Sequence, residues 1–329
     1  MVAAEGATSA LLKEEFADVK FLPLMGYRVK YSRRKIFLPW KMLSQFPKMI
    51  FTIYKEQQWL QQAIIKYDID AVISDNRFGM YNNKVPCIYI THQLLIKTGN
   101  RITEKIAQQI HYHFIKKYKE CWVPDFKEEG LAGELSHPKN IPVNTKYIGC
   151  LSRFEKADVE IKYDLLISIS GPEPQRTIFE QQLFGDLKNF KGKVLFVRGL
   201  PHADNQLSSG NINIEIKNHL SGKDLNNAML QSEMVISRCG YTTVMDLVKL
   251  NKKAILIPTP GQTEQEYLAK YLRERKIFFT INQNAFSLNK NLLQAQDFPF
   301  DFPQHNMNEY KNTTTQFVQS LQTRNFASQ

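Results

Sequence analysis

Short apolar runs that end in turn residues alternate along this chain with stretches of helical periodicity, the pattern of parallel βα units. In the first half the runs are Ala71–Ser74, Val85–Thr91, Cys121–Pro124 and Tyr147–Leu151. Between them Tyr54–Tyr67 predicts a helix with Leu60, Ala63, Ile64 and Tyr67 on one face, and Arg101–Tyr118 predicts another. The second half has runs at Leu165–Ser170, Val194–Val197, Ile212–Ile216, Met234–Ser237, Ala254–Pro258 and Ile277–Ile281. Helices are predicted over Thr177–Phe190, Leu225–Gln231, Thr243–Leu250 and Glu264–Lys276. Runs this apolar predict strands buried on both faces, an α/β fold built on doubly wound parallel sheets.

The charged stretch Ser152–Lys162 separates two similar layers, and Phe298–Gln304 breaks regular structure before a last helix at Met307–Thr323. The expected organisation is a first domain over 1–155, a second over 156–304, and a C-terminal helix in 305–329 returning to the first domain. A ligand is expected in the cleft between the domains, beyond the carboxyl ends of the strands.

Composition changes this picture in one place. The 329 residues carry 43 Lys+Arg against 32 Asp+Glu, a net charge of +11. Lys20–Lys66 holds ten of the basic residues and a single acid, Glu56. Phe37, Leu38, Trp40, Met42, Phe46, Met49, Ile50 and Phe51 interleave with those cations. Aromatic and aliphatic anchors beside cations suit an anionic membrane surface. A helical hairpin with solvated lysines explains the same residues. Nucleic acid is disfavoured as a partner, because the positive excess is one segment and not the whole surface. Four widely spaced cysteines without a C-x-x-C fit a reducing compartment. With neither a signal peptide nor a long apolar span, the expected location is cytoplasmic, peripheral at the inner face of the membrane if the basic segment binds there.

The common nucleotide motifs G-x-G-x-x-G and G-x-x-x-x-G-K-[ST] are absent from the sequence, as are H-E-x-x-H and G-x-S-x-G. His111 and His113 lie two apart on a predicted helix, so they point to different faces and cannot share a metal. No metal site and no cofactor are expected.

One stretch concentrates chemistry. A strand ending at Ser237 is followed by Arg238, a turn at Gly240, and a helix for which Thr242 or Thr243 is the expected N-cap. Its free N–H groups make an anion site with Arg238 adjacent. Asp246, about one turn in, can accept hydrogen bonds from vicinal hydroxyls. The next strand empties into Pro258–Gln265, where Gln262, Glu264 and Gln265 suit the hydroxyls of a sugar. Phosphate, diol and sugar sites in that order describe a nucleotide-sugar pocket.

The block Ser237-Arg-Cys-Gly-Tyr-Thr-Thr-Val-Met-Asp-Leu247 resembles the R-x-G-x-x-T-x-x-E signature of family 28 glycosyltransferases. Pro258–Ala269 is similar to that family's P-x-x-x-x-x-x-Q-x-x-N-A segment, with Gln265 at the Gln and Leu268 in place of the Asn. Ser170-Gly-Pro-Glu-Pro-Gln-Arg176 resembles the Gly-rich turn that opens the donor domain, which makes Ser170, Gly171 and Arg176 donor-side candidates. The likeness covers Asp164 to Lys276.

The resemblance implies a GT-B fold, two Rossmann-like domains facing a cleft, with no catalytic metal. It implies that Thr242 and Thr243 hold the donor diphosphate and that Asp246, where the family has Glu, binds the ribose. It further implies that Glu264 and Gln265 bind the sugar and that Arg198 and Gly199 flank the base. In the first half, Ile73-Ser-Asp-Asn-Arg77 and Thr91-His-Gln93 fall where the family places acceptor-side residues, so Asn76, Arg77 and Gln93 are acceptor-side candidates. His92 and Asp75, each just after an apolar run, are the candidates for the base that deprotonates the acceptor. Against the family's pattern, residue 1 begins what reads as the second βα unit, so a first unit of about 30 residues is expected to be missing by truncation.

The expected activity is metal-independent transfer of a sugar from a UDP-linked or similar donor to a hydroxyl acceptor that is glycan- or lipid-linked. A nucleotide-sugar 2-epimerase and a non-catalytic nucleotide-sugar-binding protein remain open beside it.

Overall fold

The computed structural model describes residues 1–24, 38–201, 203 and 207–327. The chain divides into two compact units, one of residues 1–150 with 306–329 and one of 151–305.

The first unit runs β1 (Val2–Ala4), α1 (Gly6–Glu15), β2 (Phe21–Pro23), α2 (Leu38–Tyr67), β3 (Val72–Asp75), β4 (Cys87–Ile90), α3 (Arg101–Ile115), β5 (Glu120–Val123) and β6 (Thr145–Tyr147). Its strands form two parallel sheets among the described residues, β1-β2 and β3-β4-β5-β6. Both sheets feed one core, in which Ala3 and Leu24 pack with Leu60, Ile64, Val72, Cys87 and Tyr89. α2 starts well before the predicted Tyr54 and continues through Pro47. It buries Ile53, Glu56, Leu60, Ala63 and Ile64, a stripe at helical spacing. Of the basic segment, residues 25–37 and the side chains of 38–46 lie outside the described residues. α3 opens on Asn100, whose side chain accepts from the N–H groups of Ile102 (2.9 Å) and Thr103 (3.4 Å). Asn100→Ala removes that cap and should cost about 1 kcal/mol of stability, read as a lower urea midpoint.

The second unit runs β7 (Tyr163–Ser168), α4 (Gln175–Leu187), β8 (Val194–Val197), β9 (Ile214–Lys217), α5 (Gly222–Leu230), β10 (Ser232–Arg238), α6 (Tyr241–Leu250), β11 (Ala254–Ile257), α7 (Thr263–Glu274), β12 (Phe279–Thr280) and α8 (Leu288–Gln296). The sheet order is β12-β11-β10-β7-β8-β9, parallel throughout. The order reverses between β7 and β10, which makes the carboxyl ends of those two strands the switch point where such sheets take ligands. Leu165, Ile167, Phe196, Ile236, Ile255 and Ile257 fill the core beneath α4, with Phe179 and Leu183 above them. α9 (Glu309–Ala327) closes the chain and belongs to the first unit, where Phe317 stands edge-on to Trp122 of β5 at 5.4 Å. All four cysteines are buried and none forms a disulfide, and burial pushes the Cys121 thiol up to about 12. Among the described residues no helix is long and apolar enough to cross a membrane.

Candidate functional site

The second unit gathers its sequence candidates on the carboxyl edge of the sheet. Ser170 and Gly171 follow β7, Arg198 and Gly199 follow β8, Arg238 to Thr243 follow β10, and Gln262 to Gln265 follow β11. The strand β10 continues one residue past the predicted end, and the helix starts earlier than predicted. Gly240 is the N-cap of α6, in extended conformation, and no side chain caps the helix. The threonines therefore are not caps; they stand in the first turn, Thr242 exposed and Thr243 half-buried. An uncapped helix start at a switch point presents N–H donors and the positive end of the helix dipole.

The arginines take other positions than the sequence suggested. Arg238 is 2% exposed and lies 4.3 Å over the Phe179 ring. Its guanidinium donates to Gln283 Oε1 at 2.8 Å and to the Gln175 carbonyl at 2.9 Å. Burial lowers its pKa to about 10, so it stays charged at neutral pH. It pins the end of β10 to the start of α4 and to Gln283. Arg198 and Arg176 converge on buried Glu180. Arg198 Nε donates to its Oε1 at 2.6 Å, and Arg176 Nη1 lies 3.2 Å from the same oxygen. Arg198 Nη1 also donates to Asn218 Oδ1 at 2.8 Å, so this side chain braces the β8 turn where a base contact was expected.

Gly199 and Gly171 have clear backbone reasons. Gly199 has φ +69°, and a Cβ there would sit 2.3 Å from the Ile169 carbonyl oxygen. Gly199→Ala should therefore destabilise the unit by about 2–3 kcal/mol, combining left-handed strain with a backbone clash; a urea midpoint within error of wild type would contradict this. Gly171, at φ +113°, lies over Thr259, whose hydroxyl is buried without a partner among the described residues.

Asp246 is half-buried on α6. Its Oδ1 accepts from the Ser152 hydroxyl at 2.6 Å. Burial raises its pKa to about 6, against the opposing effects of the Ser152 hydrogen bond, Arg153 and Lys249. After β11, Gln265 Oε1 accepts from Thr259 N–H at 2.8 Å, which closes the loop and leaves the amide NH₂ of Gln265 for other partners. Gln262 is the N-cap residue of α7, and Glu264 lies in its first turn.

In the first unit the turn after β3 is tightly built. Asn76 adopts φ +54°, its N–H donates to the Ile90 carbonyl at 3.1 Å, and its Oδ1 accepts from Tyr89 Oη at 2.8 Å. Arg77 donates to buried Glu56 at 2.7 Å, so it holds the turn to α2 where an acceptor contact was expected. Asp75, at the end of β3, has its pKa raised by burial, and the neighbouring His92 acts in the opposite direction. The structure thus brings the two base candidates within electrostatic reach of each other. Gln93 N–H donates to Thr91 Oγ1 at 3.1 Å, and its side chain is half-buried. His111 is buried, with burial lowering its pKa to about 4, while His113 on the same helix is exposed.

Sequence reasoning missed Ser152, Glu180 and Gln283. Ser152 and Gln283 act on partners far along the chain, where no local pattern marks the pairing. Glu180 joins the distant Arg198 to Arg176, four positions away on its own helix, and only the second of these pairings has a local signal.

Two α/β units with parallel sheets, the second reversing its strand order between β7 and β10, have the architecture of the GT-B fold. Several solved structures share this fold. A glycotransferase of kitacinnamycin matches with TM-score 0.62 at 12% identity, covering 91% of this chain and 82% of the other. The spinosyn forosaminyltransferase SpnP matches at 0.56 and 10%, covering 98% and 86%. The S. aureus MnaA–UDP co-structure matches at 0.56 and 13%, covering 97% and 96%. No curated protein matches in sequence. Residues 188–324 match the glycosyltransferase family 28 C-terminal domain. The family resemblance read from Ser237–Leu247 is borne out. The matched range begins after the Ser170–Arg176 turn and runs on through most of α9.

Proposed function

We propose that the second unit binds a nucleoside-diphosphate sugar, UDP-linked in the simplest case, and that the protein transfers its sugar to a hydroxyl of a glycan- or lipid-linked acceptor. The observation that carries this reading is the uncapped α6 N-terminus at the switch point, with the Asp246 carboxylate a little over one turn behind it. The diphosphate sits on the N–H groups of the first turn, the ribose hydroxyls reach Asp246, and the sugar meets Glu264 and Gln265. Ser170 and Gly171 line the same edge, while Arg176, Arg198 and Arg238 support it from beneath.

In transfer, the bond from the anomeric carbon to the diphosphate oxygen breaks as the acceptor oxygen attacks. The leaving diphosphate gains charge that the helix N-terminus stabilises, with no metal required in this reading. Asp75 and His92 are the groups proposed to take the acceptor's proton. Calorimetry with UDP and UDP-sugars, followed by product detection with an acceptor panel, tests the reading. Binding with C2-inverted donor as product indicates an epimerase; binding without any turnover indicates a carrier; no nucleotide binding sinks the donor site itself.

The acceptor side also carries the membrane proposal. α2 exposes Ile50, Phe51, Tyr54 and Ile65 beside Lys48, Lys55 and Lys66, with Lys55 lying 5.4 Å over the Phe51 ring. Such a face suits an anionic lipid surface. Flotation with and without anionic lipid decides it, and equal absence from both kinds of vesicle would remove the membrane reading.

A further inference from the structure

Asp246 is not an isolated carboxylate; the segment that opens the second unit holds it. Ser152 is 4% exposed. Its oxygen accepts from Phe154 N–H at 3.2 Å, and its hydroxyl donates to Asp246 Oδ1 at 2.6 Å. The backbone N–H arriving at the serine oxygen leaves the hydroxyl proton committed to the carboxylate, so the pair has one polarity.

The segment itself is fixed at several points. Phe154 is buried. Glu155 N–H donates to Asn226 Oδ1 at 2.9 Å, and Asn226 Nδ2 returns a bond to the Glu155 carbonyl at 3.1 Å. Lys249, one turn beyond Asp246 on α6, reaches Glu155 Oε1 at 3.2 Å and the Ser152 carbonyl at 3.5 Å. The charged groups acting on Asp246 are Arg153, from the segment, and Lys249, from its own helix. Asp246 Oδ2 accepts no hydrogen bond among the described residues.

We propose that Ser152 is a positioning residue for donor binding: it holds one oxygen of Asp246 so that the other is presented to the vicinal hydroxyls of the donor's ribose. This rests on the donor reading of Asp246 given above. An aspartate is one carbon shorter than the glutamate of the family pattern and its carboxylate lies closer to the helix. A fixed hydroxyl partner leaves that shorter side chain a single working orientation, so less rotamer entropy is lost when the diol binds. Ser152 also favours the charged carboxylate, the form that can accept from both hydroxyls.

UDP titrations from about pH 5 to about pH 8 on wild type, Ser152→Ala, Ser152→Thr and Asp246→Asn test the proposal. Wild-type affinity should rise with pH as Asp246 loses its proton. Ser152→Ala should weaken UDP roughly tenfold near neutral pH, the effect of one hydrogen bond to a charged group. It should also move the midpoint of the pH profile upward, because the lost bond favoured the ionised form. Ser152→Thr keeps the hydroxyl and should restore both. Ser152→Cys, close in shape with a weak donor, should behave as Ser152→Ala and replaces it if that variant does not fold. An unchanged midpoint and affinity in the alanine or cysteine variant overturns the proposal. So does a threonine variant no better than alanine, or a lowered melting temperature with a wild-type pH profile. If wild type does not bind UDP, or Asp246→Asn binds it as wild type does, the donor reading of Asp246 fails first, and the Asp246 arm identifies that case.

Discussion

Glu180→Ala is expected to destabilise the second unit by about 3–5 kcal/mol, the usual cost of removing one partner from a buried ion pair. The loss is large because two cations depend on one carboxylate. Arg198 Nε is 2.6 Å and Arg176 Nη1 is 3.2 Å from Glu180 Oε1, and all three side chains are below 10% exposed. Arg176 keeps the Glu173 carboxylate, but the Asn218 amide that Arg198 keeps carries no charge, so the uncompensated buried cation is Arg198. Set against total stabilities of about 5–15 kcal/mol for a domain, such a loss brings the unit near its unfolding threshold. Urea unfolding followed by far-ultraviolet circular dichroism reads the effect. Glu173→Ala is the contrast: Glu173 pairs with Arg176 at 2.6 Å but is 54% exposed, so its removal should cost less than about 1 kcal/mol. Similar midpoints for the two variants would show that Glu180 does not carry the network.

That network also shows where sequence reading reaches its end. Val194–Val197 is readable as a strand because β-branched and aromatic residues buried on both faces leave a continuous apolar run. The β10–α6 turn is readable because a glycine, a polar first turn and an apolar helix follow a strand in the order that anion sites require. The role of each arginine there is not readable. An arginine after a strand serves a phosphate or a buried carboxylate equally well, and Glu180 lies 18 positions from Arg198. The same holds in the first unit, where Arg77 pairs with Glu56 at a separation of 21. α8 was absent from the pattern for a different reason. Its sequence LNKNLLQAQ is short, two to three turns with two Asn of low helix propensity, and packing of Leu288 and Ala295 on the core holds it. Asp246 was legible as a candidate from spacing alone, but its Ser152 partner stands 94 residues away.

Asp246→Asn should weaken UDP roughly 10- to 100-fold while making the protein more stable above about pH 6, a pairing that separates a binding carboxylate from a structural one. The sign follows from the raised pKa. Burial lifts the folded-state value to about 6, above the ordinary carboxylate value of about 3.9. A group shifted upward in the folded state favours folding below its unfolded pKa, and that contribution is lost as pH rises through the folded pKa. Wild type therefore loses stability relative to the asparagine variant between about pH 4 and about pH 6, and the difference is constant at higher pH. Asparagine keeps the shape and can still accept from Ser152, so removing the charge relieves desolvation without opening a cavity. For binding the sign reverses, because the ionised form accepts best from the ribose hydroxyls and affinity should climb through the same window. Thermal melts and UDP titrations on both proteins at about pH 4.5 and about pH 8 check the two signs together. A variant less stable than wild type at the higher pH would mean that the carboxylate is held there for structure, and wild-type UDP affinity in the variant would remove Asp246 from the donor site. A protein that maintains a half-buried charge at a cost to its own stability, on the helix that opens at the switch point, is expected to recover that cost only when the donor's hydroxyls arrive.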